Sequence, residues 1–440
     1  MRSALAAYVA VQGNNIRHNV FIGQDNWFHF QSTRKMLADP GQWFRMDFTD
    51  RPLLYWIGAA CLRLTNAGDS FWLPASIFVL LSAAALWLLH DGTRSFIRSP
   101  CLRVGALIAV AFLPVTIITC VVYAADTVAM LPFVLVGWSL IRSFESKTPR
   151  AAAAYALAAG GALCLGNTAK FTFIGLPFAV LFIIAALWRM GRLTRGRAAV
   201  AALLAAIIPL GFSAGVHEMN RAQTAGMSQT AFTWPATGEI TWRELLTPKG
   251  SDRRIFSAPI YWQYRMIDGR KELPLLEHHG FSYPALLHLA VYTDVMNFAL
   301  HGYDPNNVAR PERQQAFARA AVVLGLPFSV TAAGAVLCLW ASLAWTLVRA
   351  GAGPPAGFLV WVSLATAWYL PLVLTLPFVV GAYDFGYWLP RLVLPAIWGF
   401  GLVLFGALDR VARGRLGWFA AAVLCVAVVQ AFIHVGSVWY

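Results

Sequence analysis

Apolar residues in this chain gather into uninterrupted runs close to the roughly 20 residues that cross a hydrocarbon core, as in PASIFVLLSAAALWLL from Pro74 and AAVLCVAVVQAFIHV from Ala421. Spans are predicted at about 71–90, 104–122, 127–143, 151–167, 172–188, 198–216, 319–347, 357–379, 391–408 and 417–437. In lipid every backbone N–H and C=O must be paired within its own segment or in a closed barrel. Barrel strands would alternate apolar and polar positions, and these runs do not. The pattern therefore predicts an all-α, polytopic transmembrane helix bundle of about 10–11 spans.

Every second link between the spans is basic: Arg94/Arg98/Arg103, Arg142/Lys147/Arg150, Arg189/Arg192/Arg195/Arg197, Arg349, and Arg410/Arg413/Arg415. If every span crosses, all five links share one side, which the positive-inside rule makes cytoplasmic. Trp72, Trp138, Trp188, Trp388 and Trp418 fall near span ends, as interfacial aromatics do. The other face then receives a first loop (1–70), the tight links at Asp126 and Lys170, the segment 217–318 and the link 380–391. The chain divides accordingly into that first loop, an N-terminal bundle (71–216), an extracytoplasmic loop or small cap (217–318) and a C-terminal bundle (319–440). Within the cap, the run Tyr283 to Leu300 is broken by His288, Asp294 and Asn297, as in an interfacial or re-entrant helix. Gly351 to Gly357 reads as a turn. The only apolar run before Asp25, Ala4 to Val11, is too short to span, so either the N-terminus lies outside or a helix precedes Met1.

Composition agrees with the pattern: 59% of residues are hydrophobic and only 12% charged, against about 25% charged in soluble domains. The net charge of +14 is largely the topogenic links, so it does not call for nucleic acid. The six cysteines have neither CxxC nor Cys/His spacing, adjacent His278-His279 is a poor metal signature, and no cofactor is expected, with a divalent metal left open but not indicated. No N-x-Ser/Thr sequon occurs, which favours a bacterial plasma membrane over a secretory-pathway one.

The richest chemistry lies between Gly23 and Trp56. Asp25 stands where a helix N-cap would, opening an amphipathic helix from Asn26 to Ala38 with Trp27, Phe28, Phe30 and Met36 as apolar contacts. A Pro-Gly turn and a second interfacial helix from Pro52 follow. A capped surface helix accounts for these residues on physical grounds alone. Asp25-Asn26, Gly41-Gln42-Trp43 and Arg51-Pro52-Leu53-Leu54-Tyr55-Trp56 also resemble, in order and spacing, the first extracytoplasmic loop of GT-C glycosyltransferases, in the branch of protein O-mannosyltransferases and lipid A aminoarabinose transferases. Weaker echoes are Asp126 in Tyr123-Ala-Ala-Asp-Thr127, Thr168-Ala-Lys-Phe171, and Tyr387 to Pro395. The chain departs from that pattern in having Asn26 where the family has a second acidic residue, and in lacking a full helix before the loop.

The resemblance implies an inverting enzyme that takes a sugar from a polyprenyl-phosphate donor and attaches it to a glycan, lipid or protein acceptor outside the cytoplasm. Asp25 and Asp126 are then the catalytic candidates, Asp25 as base or orienter for the acceptor hydroxyl. Arg51 matches the residue that grips the donor phosphate, and Lys170 and Arg391 are further cations for it. Asn26, His29 and Tyr55 complete the substrate-binding candidates. The structural alternatives are a plain cap for Asp25, snorkelling cations for Arg51, Lys170 and Arg391, and a structural imidazole for His29. A secondary transporter and a lipid-linked glycan polymerase or ligase are the competing functions. A transporter would place its polar residues in broken helices at mid-membrane, whereas these gather at one surface, and no internal repeat is evident.

Overall fold

The computed structural model describes residues 1–17, 24–39, 52–66, 72–120, 125–224, 247–248, 250, 265–267, 270–272, 282–292, 312–349, 353–379, 381–411 and 415–439. Helices α1 (Arg2–Arg17), α2 (Gln24–Ala38) and α3 (Leu53–Thr65) come first, then α4 (Trp72–Gly92), α5 (Pro100–Ala111), α6 (Pro114–Thr119), α7 (Ala125–Glu145), α8 (Pro149–Ala169), α9 (Leu176–Arg189), α10 (Arg195–Ala202) and α11 (Ile208–Thr224). Beyond them lie α12 (Tyr283–Tyr292), α13 (Glu312–Arg349), α14 (Ala356–Val379), α15 (Gly381–Val411) and α16 (Leu416–Trp439). A short antiparallel pair, β1 (Arg265–Ile267) and β2 (Arg270–Glu272), falls in the long loop.

Helical passages occupy all ten predicted places, and seven of them are long and apolar enough to cross a membrane among the described residues. This is a multi-pass membrane protein. Three expectations need correction. The span at 104–122 is two helices, because Pro114 has no N–H to continue α5 and instead opens α6 as its first residue. The link at 380–391 is helical from Gly381 onward, so Arg391 lies ten residues inside α15. Helix α2 begins at Gln24, which puts Asp25 in its first turn instead of at the N-cap. The side chains of Asp25, Asn26 and Arg391, and the whole of Arg51, lie outside the described residues.

At the centre stands α14. Leu359, Val360, Trp361, Val362, Leu364 and Ala365 are all fully buried, the all-round burial of a helix with neighbours on every side. Close approach relies on small residues: a Cβ at Gly137 of α7 would lie 2.6 Å from the Trp361 ring, and one at Gly399 of α15 2.7 Å from the Ala365 methyl. Helices α10 and α11 form one passage joined through a π-helical turn, Leu203–Ile207, which presents the Leu204 carbonyl to Gly160 of α8.

The five basic links do meet on one face, tied by specific bonds. The Asp91 carboxylate accepts from Arg94 at 3.2 Å, from Trp138 Nε1 at 2.9 Å and from Arg142, joining the first link to the second. Asp409 accepts the backbone N–H groups of Arg98 and Ser99 at 2.8 and 3.1 Å, joining the first to the last. Arg197 donates to the Ser143 and Ser146 carbonyls, both at 3.0 Å. Arg192 donates to those of Gly353 and Pro354, both at 2.7 Å, pinning the glycine-proline turn. With this face cytoplasmic, a cysteine introduced at exposed Arg195 should react with an impermeant maleimide only after cells are opened. Labelling of intact cells would reverse the orientation.

Candidate active site

The short link Ser146–Thr148 makes α7 and α8 an antiparallel hairpin, with Ser143 Oγ donating to the Ala152 carbonyl at 2.8 Å on the basic face. The hairpin's other end, about 30 Å away at 1.5 Å per residue, brings Asp126 in the first turn of α7 beside Lys170, the C-cap of α8. The two form an ion pair with both side chains buried, 8% and 7% exposed. Each also sits where the helix dipole favours its sign, the carboxylate at an N-terminus and the ammonium at a C-terminus.

Local structure holds both ends of the pair. Thr127 Oγ1 donates to the Thr119 carbonyl at 2.6 Å and ties the start of α7 to the end of α6. The Lys170 N–H closes the last turn of α8 on the Gly166 carbonyl at 2.8 Å, and its backbone is then extended at φ −155° and ψ 141°. The 3₁₀ turn Phe171–Gly175 follows and drives Phe173 into the notch left by Gly166. There its ring meets Trp368 edge-on at 5.0 Å, and Trp368 in turn meets Phe133 at 5.3 Å. The cation is thereby fixed to the central helix.

Helices α2 and α3 belong to the same end of the bundle, whereas α1 packs along α4 with its N-terminus near His90 on the basic face. Residues Leu54, Tyr55, Gly58, Ala59 and Leu62 form the buried face of α3, which packs on α4, α7 and α8. Within seven residues α3 leads into the Trp72 end of α4, the end remote from Asp91 and the basic face. Helix α2 is joined to α3 through His29 Nδ1, 3.0 Å from the Tyr55 hydroxyl, with both residues buried, and through Met36 in the shared core. Of the residues singled out in the sequence, the fold thus joins His29 to Tyr55 and Asp126 to Lys170. Among the described residues no three His, Cys, Asp or Glu side chains gather as metal ligands would.

One feature went unrecognised in the sequence. Helix α12 packs on α6, α13 and α15 and buries His288, whose Nε2 lies 2.9 Å from the Val322 carbonyl and whose Nδ1 lies 2.9 Å from Ser329 Oγ. Val322 can only accept, so Nε2 carries a proton toward it, while the Ser329 hydroxyl donates to Tyr292. Burial lowers the pKa of His288 and raises that of the Tyr292 hydroxyl, 3.3 Å from Ser329, to about 12, so both are neutral. These groups border an apolar cavity of about 480 Å³ between α5, α13, α15 and α16, with Leu113, Tyr369, Phe400 and Gln430 in its wall. Its only trace in the sequence was a lone histidine in an apolar run.

Removing one member of a buried ion pair strands the other charge, at a cost of about 3–5 kcal/mol, while replacing both by apolar groups is often close to neutral. Asp126→Leu and Lys170→Met should each lower the melting temperature of the purified protein sharply. The double variant should recover most of the loss. Additive losses would show that the two charges do not depend on each other.

No protein-family model matches the sequence, and no curated protein matches it. Solved structures with a loosely similar arrangement include ArnT from Cupriavidus metallidurans in the apo state, at 15% identity over 92% of this chain and 76% of that one with a TM-score of 0.43. The same protein bound to undecaprenyl phosphate gives a TM-score of 0.42, also at 15% identity over 92% and 76% of the two chains. The archaeal oligosaccharyltransferase AglB from Archaeoglobus fulgidus, in complex with an inhibitory peptide and a dolichol-phosphate, gives 12% identity and a TM-score of 0.49. That match covers 99% of this chain and 56% of AglB, so the chain spans little more than half of that protein's length.

Proposed function

We propose that the protein is a GT-C glycosyltransferase of the bacterial plasma (inner) membrane, which moves a sugar from a polyprenyl-phosphate donor, with inversion, to a glycan, lipid or protein acceptor on the periplasmic or outer side. The observation that carries this reading is the union of the first-loop motif with the bundle: Tyr55 of the Arg51-to-Trp56 segment and His29 of the helix that begins beside Asp25 are bonded and buried, at the end of the bundle remote from the basic face. The buried Asp126–Lys170 pair lies at that same end.

In this scheme the Asp25 carboxylate takes the acceptor's proton as its oxygen attacks the anomeric carbon from the face opposite the phosphate. The carbon–oxygen bond to phosphate breaks, and polyprenyl phosphate departs carrying the negative charge. Arg51 grips the phosphate oxygens through its planar fork, with Arg391 as a second cation. Lys170 is a further cation for the phosphate, and Asp126 acts as a positioning residue that holds the ammonium in place. His29 and Tyr55 tie α2 to α3 beside the site, and with Asn26 they remain the further substrate-binding candidates. The apolar cavity below α12 suits the first isoprene units of the donor.

Asp25→Asn should lower transfer from a polyprenyl-phosphate sugar by about 100- to 10,000-fold with an unchanged melting temperature, because asparagine is nearly isosteric but is no base at neutral pH. Arg51→Ala should weaken donor binding about ten- to a hundredfold, the range expected for a charge-assisted contact of about 1.5–3 kcal/mol, and Arg51→Lys should restore part of it. Near-normal turnover by Asp25→Asn would make Asp25 structural and remove the active site from the first loop.

A further inference from the structure

On the basic face, far from the ion pair, lies a cleft of about 330 Å³ between the C-terminal end of α7 and the first turns of α8 and α10. Buried Ala152, Leu193 and Ala201 form its floor. Exposed Arg150 and half-buried Arg197 are its charged members, and no carboxylate lines it. Arg197 is held in place through Nη2 by the Ser143 and Ser146 carbonyls, which leaves its Nε buried and without a partner among the described residues.

The cleft also opens onto the lipid-facing surface. Ala153 in its wall is one helical turn from Leu157, which is 56% exposed on α8. Val200, likewise in the wall, is followed at helical spacing by Leu203 and Ile207, 49% and 52% exposed. A charged recess thus continues without interruption into two apolar tracks.

We propose that this cleft binds the phosphate headgroup of an anionic phospholipid, with its acyl chains lying along Leu157 and along Leu203 and Ile207. Two guanidinium groups with no carboxylate in the lining select a net negative headgroup, since the ammonium of a zwitterionic one would lie against Arg150. The apolar tracks select a lipid over a free anion, to which they offer nothing. Basic pockets between spanning helices on the cytoplasmic side are suited to anionic headgroups, and the cytoplasmic leaflet supplies them. The site is independent of the glycosyltransferase reading.

The test titrates the purified full-length protein in neutral detergent with dioleoylphosphatidylglycerol, dioleoylphosphatidylcholine or sodium phosphate, and reads the melting temperature. Phosphatidylglycerol alone should raise it. In Arg150→Ala, an exposed position whose loss leaves the fold intact, the lipid concentration giving half the shift should rise about fivefold, the factor corresponding to ~1 kcal/mol per basic residue. Ala153→Trp, which fills the cleft, should abolish the shift. An equal response to phosphatidylcholine, a full response to phosphate alone, no response to phosphatidylglycerol, or an unchanged half-point in Arg150→Ala would each overturn the proposal.

Discussion

The cost of leaving a charge unpaired in hydrocarbon organises this molecule. Isolated charges at membrane depth are expensive, and they persist where they pair with one another or with backbone carbonyls. Both solutions appear here, one at each end of the α7–α8 hairpin. On the basic face, guanidinium groups are met by Asp91 and by five backbone carbonyls among the described residues, while Asp409 takes up two otherwise open N–H groups before α5. At the opposite end a single buried pair, Asp126 with Lys170, satisfies the same requirement. The short links that topology demands therefore also act as clamps, joining helices that are distant in sequence.

Rigidity at the ion pair comes from apolar packing. Lys170 is followed by Phe173, which fills the notch at Gly166 and rests on Trp368, and the same central helix presses Trp361 onto Gly137 of α7. Glycines at 137 and 166 let α7, α8 and the 3₁₀ turn approach the aromatic column closely. In lipid, van der Waals packing of this kind carries much of helix association, because tails are as apolar as leucine. A larger residue at Gly137 would push α7 from α14 and shift Asp126 with it. Core packing and the placement of the charged pair are one problem.

Polar groups within the bundle fall into two kinds. Asp126 and Lys170 are ionised partners, whereas His288, Ser329 and Tyr292 form a neutral hydrogen-bonded chain ending on the Val322 carbonyl. The neutral chain needs no counter-ion where it borders the apolar cavity. A paired charge at the end remote from the basic face, an apolar cavity beneath α12 and a basic cleft on the basic face form a graded set of environments along the bundle.

The membrane character, the ten helical passages and the co-sidedness of the basic links were legible in the chain itself, because run length, charge position and the need to satisfy the backbone in lipid are local properties. The helix that starts at Pro52 was legible for the same reason. The break at Phe112 was present in the sequence as Pro114, but an unbroken apolar run outweighed it. Pairing was not legible. Asp126 and Lys170 stand 44 residues apart, and His29 and Tyr55 26 apart, so each was readable only as a candidate for chemistry or a cap. Tertiary structure decided between partners, since the free energy of a buried polar group depends on what lies within about 3 Å of it, and that is set by how antiparallel helices are laid side by side. The same holds for the Phe173 notch, the His288 chain and the cleft at Arg197, where residues of no periodic significance gain their meaning from helices that the sequence lists far apart.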